Sequence, residues 1–261
     1  GIGFKSVFKY VETPVVEDDE YCFAIHDYIV PSACSSQCKY RKKGETAFFL
    51  PLKEPKENVL VVKEKLLSLH NSLLFLPHLK KIEVLEEGRG IKKYQKEIVE
   101  SWRHEDLQCA KVRLSSVLND SGMTEETHFF LFERQCYESD TKHRLGVAMK
   151  LAEDGSFVDL EEEPLYCFFP TQESFQLPYL VNAPFLLAES RETLRKNDPW
   201  NDSLFREVGT LMVDSVEALL SSNFQKEVFS FDFFSLFPLR HKVGRPKNGY
   251  WESHLRSIED R

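Results

Sequence analysis

The first six residues, Gly1-Ile2-Gly3-Phe4-Lys5-Ser6, place two glycines, a cation and a hydroxyl ahead of apolar positions 4, 7, 8 and 11, which recur at helical spacing. A glycine loop that opens a helix leaves backbone N–H groups without intrahelical partners, and those groups suit an anion. Gly1 and Gly3 lack Cβ atoms and permit close backbone approach, Lys5 supplies a positive charge, and Ser6 supplies a hydroxyl donor. The chemistry they point to is phosphate binding, although the same string serves as a plain turn-to-helix junction in folds that hold no ligand. A second constellation, Cys34 and Cys38 near His26, has some elements of a metal site. It lacks the second Cys/His pair that structural zinc spacing requires, so no metal ligands are assigned. The six cysteines, at 22, 34, 38, 109, 136 and 167, are too scattered for a disulfide scaffold and read as reduced thiols.

The elements that would position these residues follow from periodicity. Tyr21 to Ile25 and Thr46 to Leu52 are short apolar runs bounded by polar or proline residues, as buried strands are. Glu12 to Glu20 is an acidic run that reads as a solvated loop, and Ser32 to Glu45 is a polar, basic connection. Val59, Val62, Leu66, Leu69, Leu73 and Leu76 predict one amphipathic helix from about Lys56 to Leu76, stopped by Pro77. Lys81 to Leu85 predicts a strand, and Glu86 to Gly90 a glycine-rich turn that marks a domain edge. Strands are then expected over Lys93–Trp102, Gln108–Val117, His128–Tyr137, Gly146–Leu151, Leu165–Phe169 and Tyr179–Leu187. Asp198 and Pro199 open a helix with Leu204, Val208, Leu211 and Leu219 on one side, ending near Asn223. An aromatic tract, Phe224 to Phe237, and a basic loop, Arg240 to Asn248, follow.

The string Gly1-Ile2-Gly3-Phe4-Lys5-Ser6-Val7-Phe8 resembles the second glycine box of the GHKL ATPases, in the form carried by sacsin and NO VEIN-like proteins. Two further stretches are similar in the family's order. Gly44-Glu45-Thr46-Ala47-Phe48-Phe49-Leu50-Pro51-Leu52-Lys53 looks like the strand that ends the nucleotide pocket, where Thr46 would share a water-linked contact with adenine. Ala183 to Glu192, containing Ser190-Arg191-Glu192, looks like the turn whose arginine reaches the terminal phosphate, so the resemblance makes Arg191 the candidate catalytic residue. Arginine suits that task because its planar fork binds phosphate oxygens bidentately and stabilises charge developing during transfer. The plain alternatives are a β-branched residue starting a strand and a surface arginine beside a helix start.

The resemblance implies an ATP-binding protein of α+β class: the C-terminal part of a GHKL ATP-binding α/β sandwich over residues 1–87, a mostly antiparallel middle or transducer-like segment over 88–223, and an aromatic and basic tail over 224–261. Its cofactor-binding residues would be Gly1, Ile2, Gly3, Phe4, Lys5, Ser6 and Thr46. In that family the catalytic glutamate, the magnesium-binding asparagine and the adenine-binding Asp-x-Gly loop lie upstream of this box, and no residue here matches them. Magnesium is therefore implied only for a complete parent protein, and no turnover is expected from these residues alone. The expected output is nucleotide-driven conformational coupling with a chaperone-like role. The competing reading is a non-catalytic scaffold or interaction module, with residues 224–237 as a surface for a protein client.

Composition narrows the field. With 42% hydrophobic residues the chain can bury a sizeable core, and a formal charge of −8 argues against a surface built for nucleic acid, the basic loop with Arg240, His241, Lys242, Arg245 and Lys247 being short. No apolar run approaches a membrane span, so an intracellular protein, cytoplasmic or nuclear, is expected. Nothing in the sequence speaks to oligomeric state.

Overall fold

The computed structural model describes residues 6–119, 122–138, 141–160, 163–174, 177–188, 192–224 and 250–260. Its fold is α+β, as expected, and it divides into two units, 1–68 and 69–261.

In the first unit a four-residue 3-10 turn, Ser6–Lys9, leads to strands β1 (Val15–Glu17), β2 (Cys22–His26), β3 (Val30–Ala33) and β4 (Ala47–Phe49). They form an antiparallel sheet in the order β3-β2-β1-β4. Phe8, Val11, Val15 and Ala24 are its buried apolar residues, and Phe8 stacks at a tilt on Tyr28. Strand β1 lies inside the acidic run that reads as a loop. Its Val15-Val16-Glu17 alternates buried, half-buried, buried, and the third position buries a carboxylate, which hides the strand from a pattern of apolar residues. Helix α1 (Pro55–Leu67) closes the unit.

The predicted single helix from Lys56 to Leu76 is two helices. Helix α1 stops at Ser68, whose hydroxyl bonds back to Lys65 O, and α2 (Ser72–Phe75) begins after Asn71. Ser68, His70 and Asn71 all carry side-chain hydrogen bonds, to Lys65 O, Thr127 and Glu163 respectively, and such bonds compete with the helical ladder without glycine or proline to announce the break.

The second unit is built on nine strands among the described residues: β5 (Lys81–Glu86), β6 (Arg89–His104), β7 (Leu107–Leu118), β8 (Met123–Glu138), β9 (Thr141–Leu151), β10 (Phe157–Val158), β11 (Pro164–Cys167), β12 (Phe169–Ser174) and β13 (Leu180–Asn182). Their order is β12-β11-β13-β9-β8-β7-β6-β5, with β10 on β9; only β11 and β13 run parallel. Residues 87 and 88, read from sequence as a domain edge, form the two-residue turn of the β5–β6 hairpin. Glu87 and Gly88 both have positive φ, 50° and 79°, which matches the twist of a tight hairpin; glycine here serves a turn within one sheet.

The sheet is covered on both faces. On one, α2 buries Leu73, Leu74 and Phe75 against Tyr94, Val112, Leu114, Phe129, Leu131 and Ala148. Gly146 admits Phe75, whose ring would lie 3.3 Å from any added Cβ. On the other face, helix α3 (Pro199–Leu220) packs Leu204, Phe205, Val208, Leu211 and Met212 over Phe130, Phe132, Leu145, Val147 and Met149. Asp198 caps α3 by accepting from Trp200 N, with Pro199 at the first position as the sequence predicts. A final helix, α4 (Tyr250–Glu259), lies against α3 and has no counterpart in the sequence reading. Gly209 makes that contact possible, since a Cβ there would sit 2.8 Å from His254 O and collide with Ser257. Phe224, the first residue of the aromatic tract, packs on Trp102 and Phe130; residues 225–249, with the rest of the tract and the basic loop, lie outside the described residues. No helix among the described residues is long and apolar enough to cross a membrane.

Candidate functional site

Of the residues expected to bind nucleotide, Gly1, Ile2, Gly3, Phe4 and Lys5 lie outside the described residues, as does Arg191; Ser6 begins the 3-10 turn, and Thr46 is exposed immediately before β4. The helix expected after the glycines is only a single turn, continued by bonds from Tyr10 N and Val11 N to Val7 O. Its carbonyl end is already occupied. Lys53 Nζ donates to Phe8 O at 2.9 Å and Lys53 N to Tyr10 O at 2.8 Å, while Glu12 N reaches Pro51 O and Val11 bridges Leu52. The segment following the glycine string is thereby fastened to the segment following Thr46. A cation on the C-terminal carbonyls also complements the turn's polarity.

The connection leading into Thr46 is held from β1. Glu17, 7% exposed, accepts from Ser36 Oγ at 2.8 Å, from the backbone N–H groups of Gln37 and Cys38, and from Arg41 Nε at 3.3 Å. Arg41 spans to Asp19 at 2.6 Å, and Asp19 also accepts from Gly44 N. These bonds, Ser36 first, hold the Glu17 carboxyl below its ordinary range. The acidic run thus bonds two of its carboxylates, one buried and one exposed, to a basic connection.

In the second unit the chain on either side of Arg191 is well anchored. Arg195 N donates to Leu186 O, Ala188 N to Thr193 O, and Leu187 bridges Leu194, making a short antiparallel ladder. Glu192 is bonded from β12, through Gln172 N and Gln172 Nε2. Asn201, fully buried on α3, accepts from Leu186 N and donates to Leu186 O and Arg195 O. Asn201→Ala leaves Leu186 N without its acceptor, while Leu186 O keeps Arg195 N and Arg195 O keeps the Tyr250 hydroxyl, and it is expected to lower stability by about 2 kcal/mol. Urea unfolding checks the magnitude, and hydrogen exchange at residues 186–195 should rise first.

A groove of about 960 Å³ also opens in the second unit, beside α2, over strands β6 to β9. Its walls include Leu74, Ile98, Val112 and Leu131, and its polar lining includes Lys96, Glu133 and Arg144. Lys96 Nζ donates to Leu76 O at 2.7 Å, and Arg144 Nη1 approaches Glu133 at 3.4 Å. Burial pushes Lys96 down and Glu133 up, each opposed by the neighbouring opposite charge. These three residues escaped the sequence reading. The available signal was phase: Glu133 falls in step with Phe129 and Leu131, and Lys96 with Tyr94, on the buried face of their strands.

The chain is similar to Protein NO VEIN of Arabidopsis thaliana. The two are 25% identical across 299 aligned positions, which take in all of this chain and 10% of NO VEIN, so the chain spans about a tenth of that relative's length. No family model matches the chain, and no solved structure does. The likeness to NO VEIN agrees with the sequence words that suggested that kind of protein, and it extends over the first unit's sheet and the second unit's strands alike.

Proposed function

We propose that this chain supplies the phosphate-side part of a GHKL-type ATP site in a NO VEIN-like protein, with a chaperone-like, conformational output. The backbone N–H groups of residues 1–6 and the Lys5 ammonium would hold the phosphates, Thr46 would lie toward adenine, and Arg191 would meet the terminal phosphate. One arrangement supports the reading above the others: Lys53 ties the turn behind the glycine string to the strand behind Thr46. The turn's carbonyl end is thereby capped from the segment behind Thr46, while a 3-10 turn's opening N–H groups lie outside its own ladder. A single turn contributes little dipole, so the amides and Lys5 carry the attraction for an anion. Magnesium would be held by phosphates and by a complete parent, not by residues of this chain.

The test is displacement of trinitrophenyl-ATP by ATP on the purified chain, with Gly3→Val and Arg191→Ala beside it. Gly3→Val is expected to weaken ATP at least tenfold, about 1.4 kcal/mol, and none of the three proteins should turn ATP over. Absence of displacement by ATP, an equal response from Gly3→Val, or turnover that survives both substitutions overturns the proposal. The first two outcomes would favour the scaffold reading, for which the groove beside α2 offers a place to bind.

A further inference from the structure

Cys22 and Cys34 face each other across the β2–β3 hairpin. The register pairs Phe23 with Ala33 and Ala24 with Ser32, so Cys22 and Cys34 are the next directly opposed positions, and Cys34 N donates to Cys22 O at 3.2 Å. Their sulfurs are 3.2 Å apart and both residues are partly exposed. Opposed residues in an antiparallel pair have Cα atoms about 4.5–5.5 Å apart, inside the span a disulfide bridges without backbone movement. The other thiols are placed differently: Cys109 is buried, Cys136 contacts Glu207, and Cys167 donates to Phe185 O.

We propose that Cys22 and Cys34 form a site of reversible oxidation, closed to a disulfide by hydroperoxides and reopened by thiols. The Cys34 thiolate attacks one peroxide oxygen, the O–O bond breaks, and water leaves after protonation, giving a sulfenic acid on Cys34. The Cys22 sulfur loses its proton, attacks that sulfur and expels a second water. Two thiols and one hydrogen peroxide thus become one disulfide and two waters. Contact with the Cys34 sulfur, then burial, then the Glu17 carboxylate push the Cys22 thiol up to about 11, and the balance is the same whichever of the two sulfurs attacks first. Closure ties the start of the 34–45 connection to β2 covalently, next to Ser36, Gln37 and Cys38, where Glu17 already holds it. The inference does not depend on nucleotide binding.

Cys38 is the competitor, because it lies near enough to both sulfurs to feel their charge. The experiment exposes the reduced 261-residue chain to hydrogen peroxide, blocks remaining thiols with N-ethylmaleimide, and maps peptides without reductant after cleavage at Asp27, which separates Cys22 from Cys34. The expected result is a Cys22–Cys34 linked peptide that dithiothreitol removes, that persists in Cys38→Ser, and that is lost in Cys34→Ser. Recovery of Cys22 and Cys34 as separately blocked peptides, or a linked peptide that persists in Cys34→Ser and vanishes in Cys38→Ser, overturns the proposal. Circular dichroism of the reduced variants guards against misfolding, and a Cys22→Ser variant supplies an independent loss of the link.

Discussion

Acidification from pH 7 to pH 4 is expected to cost the second unit on the order of 3 kcal/mol through one ring, that of His254. His254 is fully buried between α3 and α4. Its Nδ1 faces Phe205 O at 3.1 Å, a carbonyl that can only accept, so that nitrogen carries the proton; Nε2, 2.7 Å from the Tyr179 hydroxyl, then accepts. The neutral ring is satisfied on both sides, and burial drives its pKa down to about 4 from the ordinary 6.5. Above about 6.5 the ring is neutral folded and unfolded, and pH has no leverage through it. Between about 6.5 and 4 the unfolded chain takes up a proton that the folded chain refuses, so stability falls as pH falls and levels off below the folded value. Urea midpoints at pH 7 and pH 4.5 read this directly. A Tyr179→Phe/His254→Phe variant, which removes both polar partners, should lose that slope; an unchanged slope would assign acid sensitivity to the carboxylates.

Replacing Arg134 by alanine is expected to cost roughly 3–5 kcal/mol, the usual consequence of removing one member of a buried ion pair. Arg134 projects from β8 and bonds Asp214 on α3 at 2.6 Å, with side chains only 12% and 13% exposed. It also grips Asp106, at the β6–β7 turn, through two nitrogens at 2.7 and 3.0 Å. One guanidinium therefore joins a hairpin tip, a central strand and the covering helix. Losing it removes the cation from beside Asp214, a carboxylate only 13% exposed, whereas Asp106 is exposed and returns to water. Chemical denaturation should show the loss, and Arg134→Ala/Asp214→Ala should recover part of it, because the double change removes the buried carboxylate along with the cation. A single-variant loss below about 1 kcal/mol would mean that Asp214 finds water or another donor.

Much of the second unit was legible before any coordinates, because β6 to β9 are rich in β-branched and aromatic residues and α3 declares its start with Asp198-Pro199. What was not legible has physical causes. Strand β1 hides in an acidic run because its third residue, Glu17, is buried through hydrogen bonds from the 36–41 connection, a partnership visible only in three dimensions. The break between α1 and α2 hides because Leu66, Leu69 and Leu73 keep helical spacing across it. Helix α4 hides behind an aromatic and basic stretch, and its burial depends on Gly209, more than 40 residues earlier. The candidate groups differ in the same way: Thr46 and Arg191 were named by motif alone, whereas Lys96, Glu133 and Arg144 became a group only when strands far apart in sequence were set side by side.

The seating of α4 on Gly209 also bears on how this unit can be made. Tyr250, His254 and Leu255 cover Phe205 and Tyr179, so a nascent polypeptide that has emerged only as far as α3 still presents that greasy seam to solvent. The ten residues of α4 must emerge before that layer can shut, so a product terminated after α3 is left open to aggregation.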